Sequence, residues 1–319
     1  MTQIPRTVDV NKYGGIMSEQ VRVNGFLTSL LSISHPLDSF LMPLLDAHGA
    51  TLAEDVYDGE RLVMRSGVRI RATHIGLAAS LGLDLLPTLP HPRVVVLSAG
   101  HDLVKPGIPL AENEEYETNS WLLTTAVREA GAVGYRVHSI PDDEEELKAV
   151  IEDQLVRADL VVVSGGREAD SFDLITHTLS TLGEIDVVDL AIENSGPHNY
   201  GQIGPDRIPV ITLPGDPISA YVSLELFVRP MIRTMLGSMN IHRPSVKARL
   251  EKPITSAVGQ RSYIHAFLSE DGKSVRAIPD QGELSTLSDA NALIAIPESE
   301  TALGAGAVVT VVVLRRRYF

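Results

Sequence analysis

The sequence predicts an α/β protein in which a central, mostly parallel sheet is followed by a small β-barrel. From residue 92 to residue 237, short apolar runs alternate with segments of helical periodicity, which is typical of βαβ units. Several of these runs are continuous and β-branched, as expected of strands that are covered on both faces. After Gly237 the pattern changes to short alternating strands divided by Gly, Pro and Asp, which indicates a barrel or a sandwich.

The elements of the central region have readable boundaries. We expect its strands at residues 93–98, 135–140, 160–164, 186–191 and 208–213. Asp143 is the expected N-cap of one helix, and Asn119 is the expected N-cap of another that ends at Gly131. Asp216 precedes Pro217, a pairing that favours the start of a long third helix.

The flanking regions have different patterns. The C-terminal strands are expected at residues 246–250, 262–268, 274–278, 292–296 and 307–314. Toward the N-terminus, helical segments at 23–47 and 73–81 enclose a strand-like stretch at 61–71 that only Gly67 interrupts. A chain of 319 residues exceeds one ordinary domain. We therefore predict an N-terminal α+β domain (1–90), a central domain (91–240) and the barrel (241–319).

Composition excludes several classes of function. Cysteine is absent, so disulfides, thiolate metal sites and a cysteine nucleophile are excluded. The net charge of −14 disfavours a nucleic-acid surface, and the basic run at residues 315–317 is interpreted as a solvated end. The sequence contains no apolar run long enough for a membrane span, and residues 1–11 do not resemble a secretory signal. We expect a cytoplasmic protein with no membrane and no nucleic-acid partner.

Three loops at the predicted carboxyl edge of the sheet are candidates for a ligand site. The first strand leads into residues 98–103, the third into 164–166 and the fifth into 213–220. Ligands of open parallel sheets bind at this edge, because the loops diverge there and helix N-termini offer unpaired N–H groups. Glycines after a strand permit close approach of a ligand to the backbone, although each loop taken alone is more simply explained as a tight turn.

Together and in this order, the loops resemble one family. Residues 99–103 read A-G-H-D-L where that family has T-G-D-E-L, and residues 116–119 match its Y-D-T-N. The pair 142–143 matches its D-D, residues 164–166 match its S-G-G, and Asp173 matches the aspartate that follows. Residues 214–220 match its P-G-N-P-V-S-A. The sequence is therefore similar to the MoeA-type molybdopterin molybdenumtransferases, whose central domain is shared with the molybdopterin adenylyltransferases.

The resemblance extends toward the N-terminus but lacks one part. Residues 52–56 look like the family's L-A-E-D-V, and residues 79–82 resemble its A-S-L-G. Between these landmarks the family carries a β-rich domain with an M-D-G-Y-A motif. Here only residues 57–78 separate them and the motif is missing, so we expect that this inserted domain has been deleted.

The resemblance implies a fold, a reaction and a set of site residues. It implies a three-layer α/β/α central domain of the molybdopterin-binding type, a homodimer, and insertion of molybdate into molybdopterin delivered as an adenylate, with Mg²⁺ assisting. Asp173 and Asp142 are the candidate catalytic residues, and Asp173 is also the candidate metal ligand. The candidate substrate-binding residues are Gly100, Asp102, Thr118, Asn119, Ser164, Gly165, Gly166, Arg167, Gly215, Asp216, Pro217 and Ser219.

Where this sequence departs from the family pattern, it has additional acidic residues or lacks lysines. Residues 193–197 read E-N-S-G-P where the family has K-P-G-K-P, the expected asparagine of P-G-N-P is Asp216, and no lysine occurs between Lys148 and Lys247. Each like charge near the site opposes an anion by about 1 kcal/mol or more. We therefore expect weak or altered binding of the usual substrate. The acids expected to converge there are Asp102, Glu117, Asp142, Glu168, Asp170, Asp173, Glu193 and Asp216.

Several alternatives remain at this point. Arg167 either clamps a phosphate or pairs with Glu168, and Asp173 is either a metal ligand or a helix N-cap. A transition-metal site at His101 and His198 fits no known ligand spacing. Ser164 and Ser219 lack the strained elbow of a nucleophile, so a ligand contact is the better interpretation. The competing functions are a non-catalytic pterin-binding or scaffold paralogue that has lost the anion-binding lysines, and a nucleotide hydrolase.

Overall fold

A computed structural model of the chain describes residues 21–100, 102–137, 143–165 and 169–315. The N-terminal elements are α1 (Val23–Ser32), β1 (Phe40–Pro43), β2 (Thr51–Leu52), β3 (Val56–Asp58), β4 (Arg61–Met64), α2 (Ala72–Ser80) and β5 (Leu85–Leu89). Strands β1, β5 and β2 form one small sheet in that order, and β3 pairs with β4 as a hairpin. Within the described ranges, no helix is long and apolar enough to cross a membrane.

The central region is a three-layer α/β/α structure, as the sequence predicts. Its six-stranded sheet has the order β11-β12-β13-β10-β6-β9. Strands β13, β10, β6 and β9 are parallel, whereas β11 and β12 form an antiparallel hairpin at the other edge. The elements are β6 (Arg93–Ser98), β7 (Leu103–Val104), β8 (Glu115–Tyr116), α3 (Asn119–Ala130), β9 (Val133–Arg136), α4 (Glu144–Leu155), β10 (Leu160–Ser164), α5 (Ala169–Leu182), β11 (Gly183–Asp189), β12 (Pro197–Ile203), β13 (Ile208–Leu213), α6 (Pro217–Ser223), a π-helical turn (Leu224–Val228) and α7 (Arg229–Met235).

Alternation along the strands divides the core between the two faces of the sheet. In β6, Val94 and Val96 pack with α3 and the helical stretch after β13, whereas Val95 and Leu97 pack with α4 and α5. Side chains of a strand point to opposite faces in turn, so a continuous apolar run fills both layers. Helix α1 also contributes to the first layer through the buried Phe26.

The C-terminal region closes into a five-stranded barrel, which confirms the predicted architecture. The barrel order is β14-β17-β16-β18-β20. Its apolar interior includes Ala266, Val275, Ile294 and Val311, all fully buried. The elements are β14 (Ser245–Leu250), β15 (Ile254–Thr255), β16 (Ser262–Leu268), β17 (Ser274–Ala277), α8 (Leu284–Asp289), β18 (Ala292–Ile296), β19 (Ala302–Leu303) and β20 (Val308–Val313).

Three of the sequence predictions about N-terminal elements and caps are wrong. The helix predicted at 23–47 ends at Ser32. It does not continue past Pro36, which disfavours helical conformation in the preceding residue, and part of the remainder forms β1. The strand predicted at 61–71 is only β4, since Gly67 adopts a positive φ of 78°. Asn119 is the first helical residue of α3 rather than its N-cap, which is Thr118.

The other helix caps agree with the sequence. The Asp143 carboxylate accepts a hydrogen bond from the N–H of Glu146, and the Asp216 carboxylate accepts one from the N–H of Ser219. Gly131 ends α3 in the left-handed conformation. The predicted strand at 135–140 is β9 and begins two residues earlier, and residues 138–140 lie outside the described residues.

Candidate functional site

Three strand-to-helix loops meet where β6, β10 and β13 end side by side. Asn119, at the start of α3, holds them together. Its side-chain N–H donates to the Ser164 hydroxyl at 2.8 Å and to the Gly215 carbonyl at 2.8 Å. Ser164 in turn donates to the Pro214 carbonyl at 3.1 Å. The structure thus brings Asn119, Ser164 and Gly215 together, and we call this cluster the three-loop junction.

One polar atom of the junction has no protein partner. Asn119 is 7% exposed, and its side-chain carbonyl oxygen is buried without a hydrogen bond among the described residues. A buried acceptor left unpaired costs about 1–3 kcal/mol. Such groups are rare in folded proteins, so the oxygen is a candidate acceptor for a donor on a ligand.

Gly165 is required by the close approach of two of the loops. A Cβ atom at this position would lie 2.7 Å from the carbonyl oxygen of Ala99 and 3.2 Å from the Ile175 side chain. The Ala99 N–H also donates to the Ser164 carbonyl at 2.9 Å, which joins the ends of β6 and β10. At Gly100, an added Cβ would meet only the flexible Leu103 side chain.

The Asp216 carboxylate caps the start of α6, the helix after β13. The Asp216 carboxylate accepts hydrogen bonds from the backbone N–H and the hydroxyl of Ser219, each at 2.8 Å. Pro217 follows at the first helical position and has no N–H to offer. Asp216 therefore occupies donors at this helix start and places a negative charge where the helix dipole would favour a bound anion.

Glu117 is paired within its own part of the chain. The side chain is buried and accepts hydrogen bonds from the N–H and the hydroxyl of Ser120 at 2.7 and 2.6 Å. The guanidinium of Arg136 lies 3.8 Å from the same carboxylate and 4.0 Å from the ring centroid of Trp121. Glu117 thus accepts hydrogen bonds from the first turn of α3 and pairs with Arg136, which sequence spacing alone does not reveal.

The remaining candidates are placed as follows. Thr118 donates its hydroxyl to the Tyr116 carbonyl at 3.1 Å. Asp102 is exposed beside the paired strands β7 and β8, and its carbonyl accepts from the Glu115 N–H. Asp173 is exposed within α5, so its N-cap alternative is wrong. Residues that lie outside the described part of the chain are His101, Asp142, Gly166, Arg167 and Glu168.

His198 is a core residue rather than a metal ligand. It is fully buried, and its ring lies edge-on to Phe26 and Phe227 with centroid distances of 5.9 and 6.2 Å. Its nitrogens lie 3.1 Å from the Gly196 carbonyl and 3.4 Å from the Ser223 hydroxyl. Burial lowers the pKa of His198 to about 4. Within the described ranges, no group of three or more His, Asp or Glu side chains is placed to hold a metal ion.

A cavity lies beside the junction, at the seam between the central region and the barrel. Its volume is about 230 Å³. Ser219 of α6 lines it and donates to the Asp216 carboxylate, next to Gly215, so the cavity lies adjacent to the junction. The lining residues are Ile192, Glu193, Asn194, Ser195, Ile218, Ser219, Val222, Ser223, Thr255, Tyr263, Ile264, His265 and Gln281. Sequence reasoning selected Glu193 and Ser219 but missed the barrel residues, which carry no motif and are distant along the chain.

Hydrogen bonds fix the seam next to this cavity. The Arg261 N–H donates to the Ala191 carbonyl at 2.8 Å, and the Glu193 N–H donates to the Arg261 carbonyl at 3.0 Å. The Ser262 hydroxyl donates to the Glu193 carboxylate. Hydrogen bonds to the barrel therefore fix the start of residues 193–197, the segment in which the resembled family has lysines.

Comparisons with known proteins agree with this geometry. Residues 95–234 match the family model described as a probable molybdopterin binding domain, and residues 247–314 match the MoeA C-terminal region, domain IV. Molybdopterin molybdenumtransferase 2 of Mycobacterium tuberculosis (strain ATCC 25618 / H37Rv) is 35% identical over 261 residues, which are 79% of this chain.

The chain belongs to the MoeA family.

Other similar proteins agree with this assignment. The molybdopterin molybdenumtransferase of Haemophilus influenzae is 26% identical over 302 residues, covering 93% of this chain and 72% of its own. A crystal structure of the molybdopterin biosynthesis moea protein from Pyrococcus horikosii superimposes with a TM-score of 0.81 at 22% identity. That match covers 93% of this chain and 100% of the other, and it supports the MoeA-like fold. The chain spans only 64% of the Mycobacterium relative's length.

Proposed function

We propose that this MoeA-family chain acts in molybdenum cofactor biosynthesis by binding molybdopterin or its adenylate and inserting molybdate. The observation that supports this most directly is Asn119, which holds Ser164 and Gly215 together and keeps one carbonyl oxygen unpaired at the junction. The relatives named molybdopterin molybdenumtransferases support the same reaction. The comparisons do not favour the nucleotide hydrolase or the non-catalytic paralogue.

The proposed substrate contacts divide between side chains and backbone. Asn119, Ser164 and Ser219 offer polar side chains, and Gly215 holds the last loop close to them. Arg167 is the proposed cation for a phosphate, because a guanidinium binds phosphate with two parallel hydrogen bonds. The remaining proposed contacts are Gly100, Asp102, Thr118, Gly165, Gly166, Asp216 and Pro217.

A divalent cation is a separate part of the proposal. The described residues provide no cluster of three ligands, so they do not form a protein cage for a metal. Mg²⁺ commonly keeps several waters and binds one or two carboxylates together with substrate phosphates. Asp173, exposed on α5, is the proposed carboxylate, with Asp142 as its proposed catalytic partner.

We also propose that the chain forms a cytoplasmic homodimer and has no nucleic-acid partner. Each protomer is proposed to have three domains, at residues 1–90, 91–240 and 241–319. Strand β1 is an edge strand, and apolar side chains near it are exposed: Leu41 by 64% and Leu45 by 85%. An apolar edge of this kind is stabilised when a second copy covers it. Deletion of the family's inserted domain between residues 57 and 78 remains part of this proposal.

Complementation tests the proposed reaction. The chain is expressed in a bacterial strain that lacks its own insertion enzyme, and molybdate-dependent cofactor formation is measured. We expect the wild-type chain to restore cofactor formation and Asn119→Ala to restore much less. Asn240→Ala, an exposed position after α7, is the matched control and should behave as wild type. Failure of a well-folded wild-type chain to restore cofactor at any molybdate concentration overturns the proposal.

A further inference from the structure

The size and the lining of the cavity at the seam suit one part of a ligand. Ligand pockets are usually roughly 300–1,000 Å³, lined by apolar side chains with a few placed polar groups. This cavity, at about 230 Å³, is smaller and has apolar walls from Ile192, Ile218, Val222 and Ile264. It is therefore suited to one end of a larger molecule.

The charges around the cavity oppose an anion. No lysine or arginine is among its described lining residues, and Glu193 is the one acidic side chain among them. Arg261 is close along the chain, but its guanidinium pairs with Glu298 at 3.1 Å. The Asp216 carboxylate, in the adjacent loop, interacts electrostatically with His265. It therefore adds a second negative charge near the cavity.

The titratable groups of the lining add no positive charge. Burial lowers the pKa of His265, which opposes a positive charge on its ring. Burial also raises the pKa of Tyr263, so its phenol stays neutral. The cavity thus combines neutral hydrogen-bonding groups with one carboxylate, which suits a neutral partner that donates hydrogen bonds.

Two polar side chains that line the cavity each have an oxygen atom available to a ligand. One Glu193 carboxylate oxygen accepts from the Ser262 hydroxyl, and no described residue donates to the other. Ser195 is 4% exposed, and its hydroxyl oxygen is buried without a partner among the described residues. A carboxylate accepts hydrogen bonds on both oxygens, so a pair of adjacent N–H donors fits Glu193.

We propose that the cavity receives the aminopyrimidinone end of the pterin, with Glu193 accepting hydrogen bonds from the exocyclic amino group and the adjacent ring N–H. This inference rests on the proposed function and specifies how the substrate lies. The planar ring packs between the apolar walls, and the anionic end of the molecule points away from Glu193 toward the three-loop junction. The cavity is accordingly a site for a neutral heterocycle and excludes molybdate and phosphate.

Fluorescence titration of the full chain with 6-methylpterin tests the proposal. We expect saturable binding to wild type, a Kd about tenfold or more higher for Glu193→Gln, and no competition by sodium molybdate or inorganic phosphate. Glutamine keeps the size of the side chain and an acceptor for Ser262, and thermal unfolding verifies the fold. Glu184→Gln is the matched control, because that side chain is 84% exposed on β11, and its Kd should equal that of wild type.

Each other result overturns the inference. It fails if wild type does not bind 6-methylpterin, if Glu193→Gln leaves the Kd unchanged, or if molybdate competes with the pterin. Complementation separates this failure from failure of the proposed function. If the chain restores cofactor formation but its pterin binding does not depend on Glu193, only this inference is contradicted. If pterin binding depends on Glu193 but no cofactor is formed, only the proposed insertion reaction is contradicted.

Discussion

The side-chain N–H of Asn119 lies 2.8 Å from the carbonyl oxygen of Gly215, although the two residues are 96 positions apart in the chain. The same amide nitrogen donates to Ser164, at the end of β10. One side chain at the start of α3 therefore fixes the relative positions of the loops after β10 and β13. The geometry of the three-loop junction depends on this amide.

Asn119→Ala should destabilise the protein and impair substrate binding together. The substitution leaves the Ser164 hydroxyl and the Gly215 carbonyl without a buried donor, which costs about 1–3 kcal/mol. Urea unfolding measures the stability, and titration with AMP measures binding at the junction. Asn240→Ala should change neither. Unchanged unfolding of the Asn119 variant would contradict the assigned role of the amide.

The sequence predicted the parts of the fold that depend on local chemistry. The β-branched runs of β6, β10 and β13 and the Asp216 cap were readable because each is determined by neighbouring residues. Strand β12 was missed because it begins with Pro197 and places polar residues in the core. Its Asn199 is fully buried and is satisfied by Thr176 and Thr212, a pairing that depends on tertiary structure.

The candidate site was predictable to a similar extent. The order of the motifs along the chain predicts the glycines and Asn119 as site residues, and the structure brings Asn119, Ser164 and Gly215 together. The role of Asn119 as a bridge was not predictable, since an Asn before a helix is usually an N-cap. Tyr263 and His265 were missed because only closure of the barrel against the central region places them at the cavity.

Glu225→Ala should be among the most destabilising single substitutions in the chain. The Glu225 carboxylate accepts two hydrogen bonds from Arg243 at 2.7 Å and lies 3.8 Å from Arg229. Arg243 also donates to the Leu314 carbonyl at 2.8 Å, so the cluster joins the central helices to the end of the barrel. Removing the carboxylate leaves buried arginine charge uncompensated, which costs roughly 3–5 kcal/mol.

Differential scanning calorimetry tests this expectation against a matched variant. Glu129 is 61% exposed and lies 3.9 Å from Arg243, so Glu129→Ala should cost less than about 1 kcal/mol. Equal melting temperatures for the Glu225 and Glu129 variants would show that the buried cluster adds nothing beyond a surface ion pair.

Acidification should destabilise the fold through His198. The pKa of its buried imidazole is about 4 in the folded protein, below its ordinary value of 6.5. Between these values the unfolded chain binds the additional proton, so this contribution is complete above pH 6.5 and is lost as the pH falls to about 4. The loss amounts to about 3 kcal/mol, since one pKa unit corresponds to about 1.4 kcal/mol.

Urea unfolding at several pH values between 7 and 4 measures this effect. His198→Gln removes the titrating group and should flatten the dependence of unfolding free energy on pH. His177→Gln is the control, because the His177 side chain is 67% exposed. A pH dependence that survives unchanged in the His198 variant would assign the acid lability to other groups.

Asp216→Asn should strengthen binding of anions at the three-loop junction. Asparagine restores the residue that the family has at this position and is itself a good N-cap, so the start of α6 is retained. The substitution removes one negative charge from the helix terminus, worth about 1 kcal/mol or roughly a fivefold lower Kd. Calorimetric titration with AMP measures the change, and Asp206→Asn, an exposed position in the turn before β13, serves as the control. If both variants bind AMP as wild type does, the Asp216 charge does not act on the ligand, and the weak anion binding expected from this departure loses its physical basis.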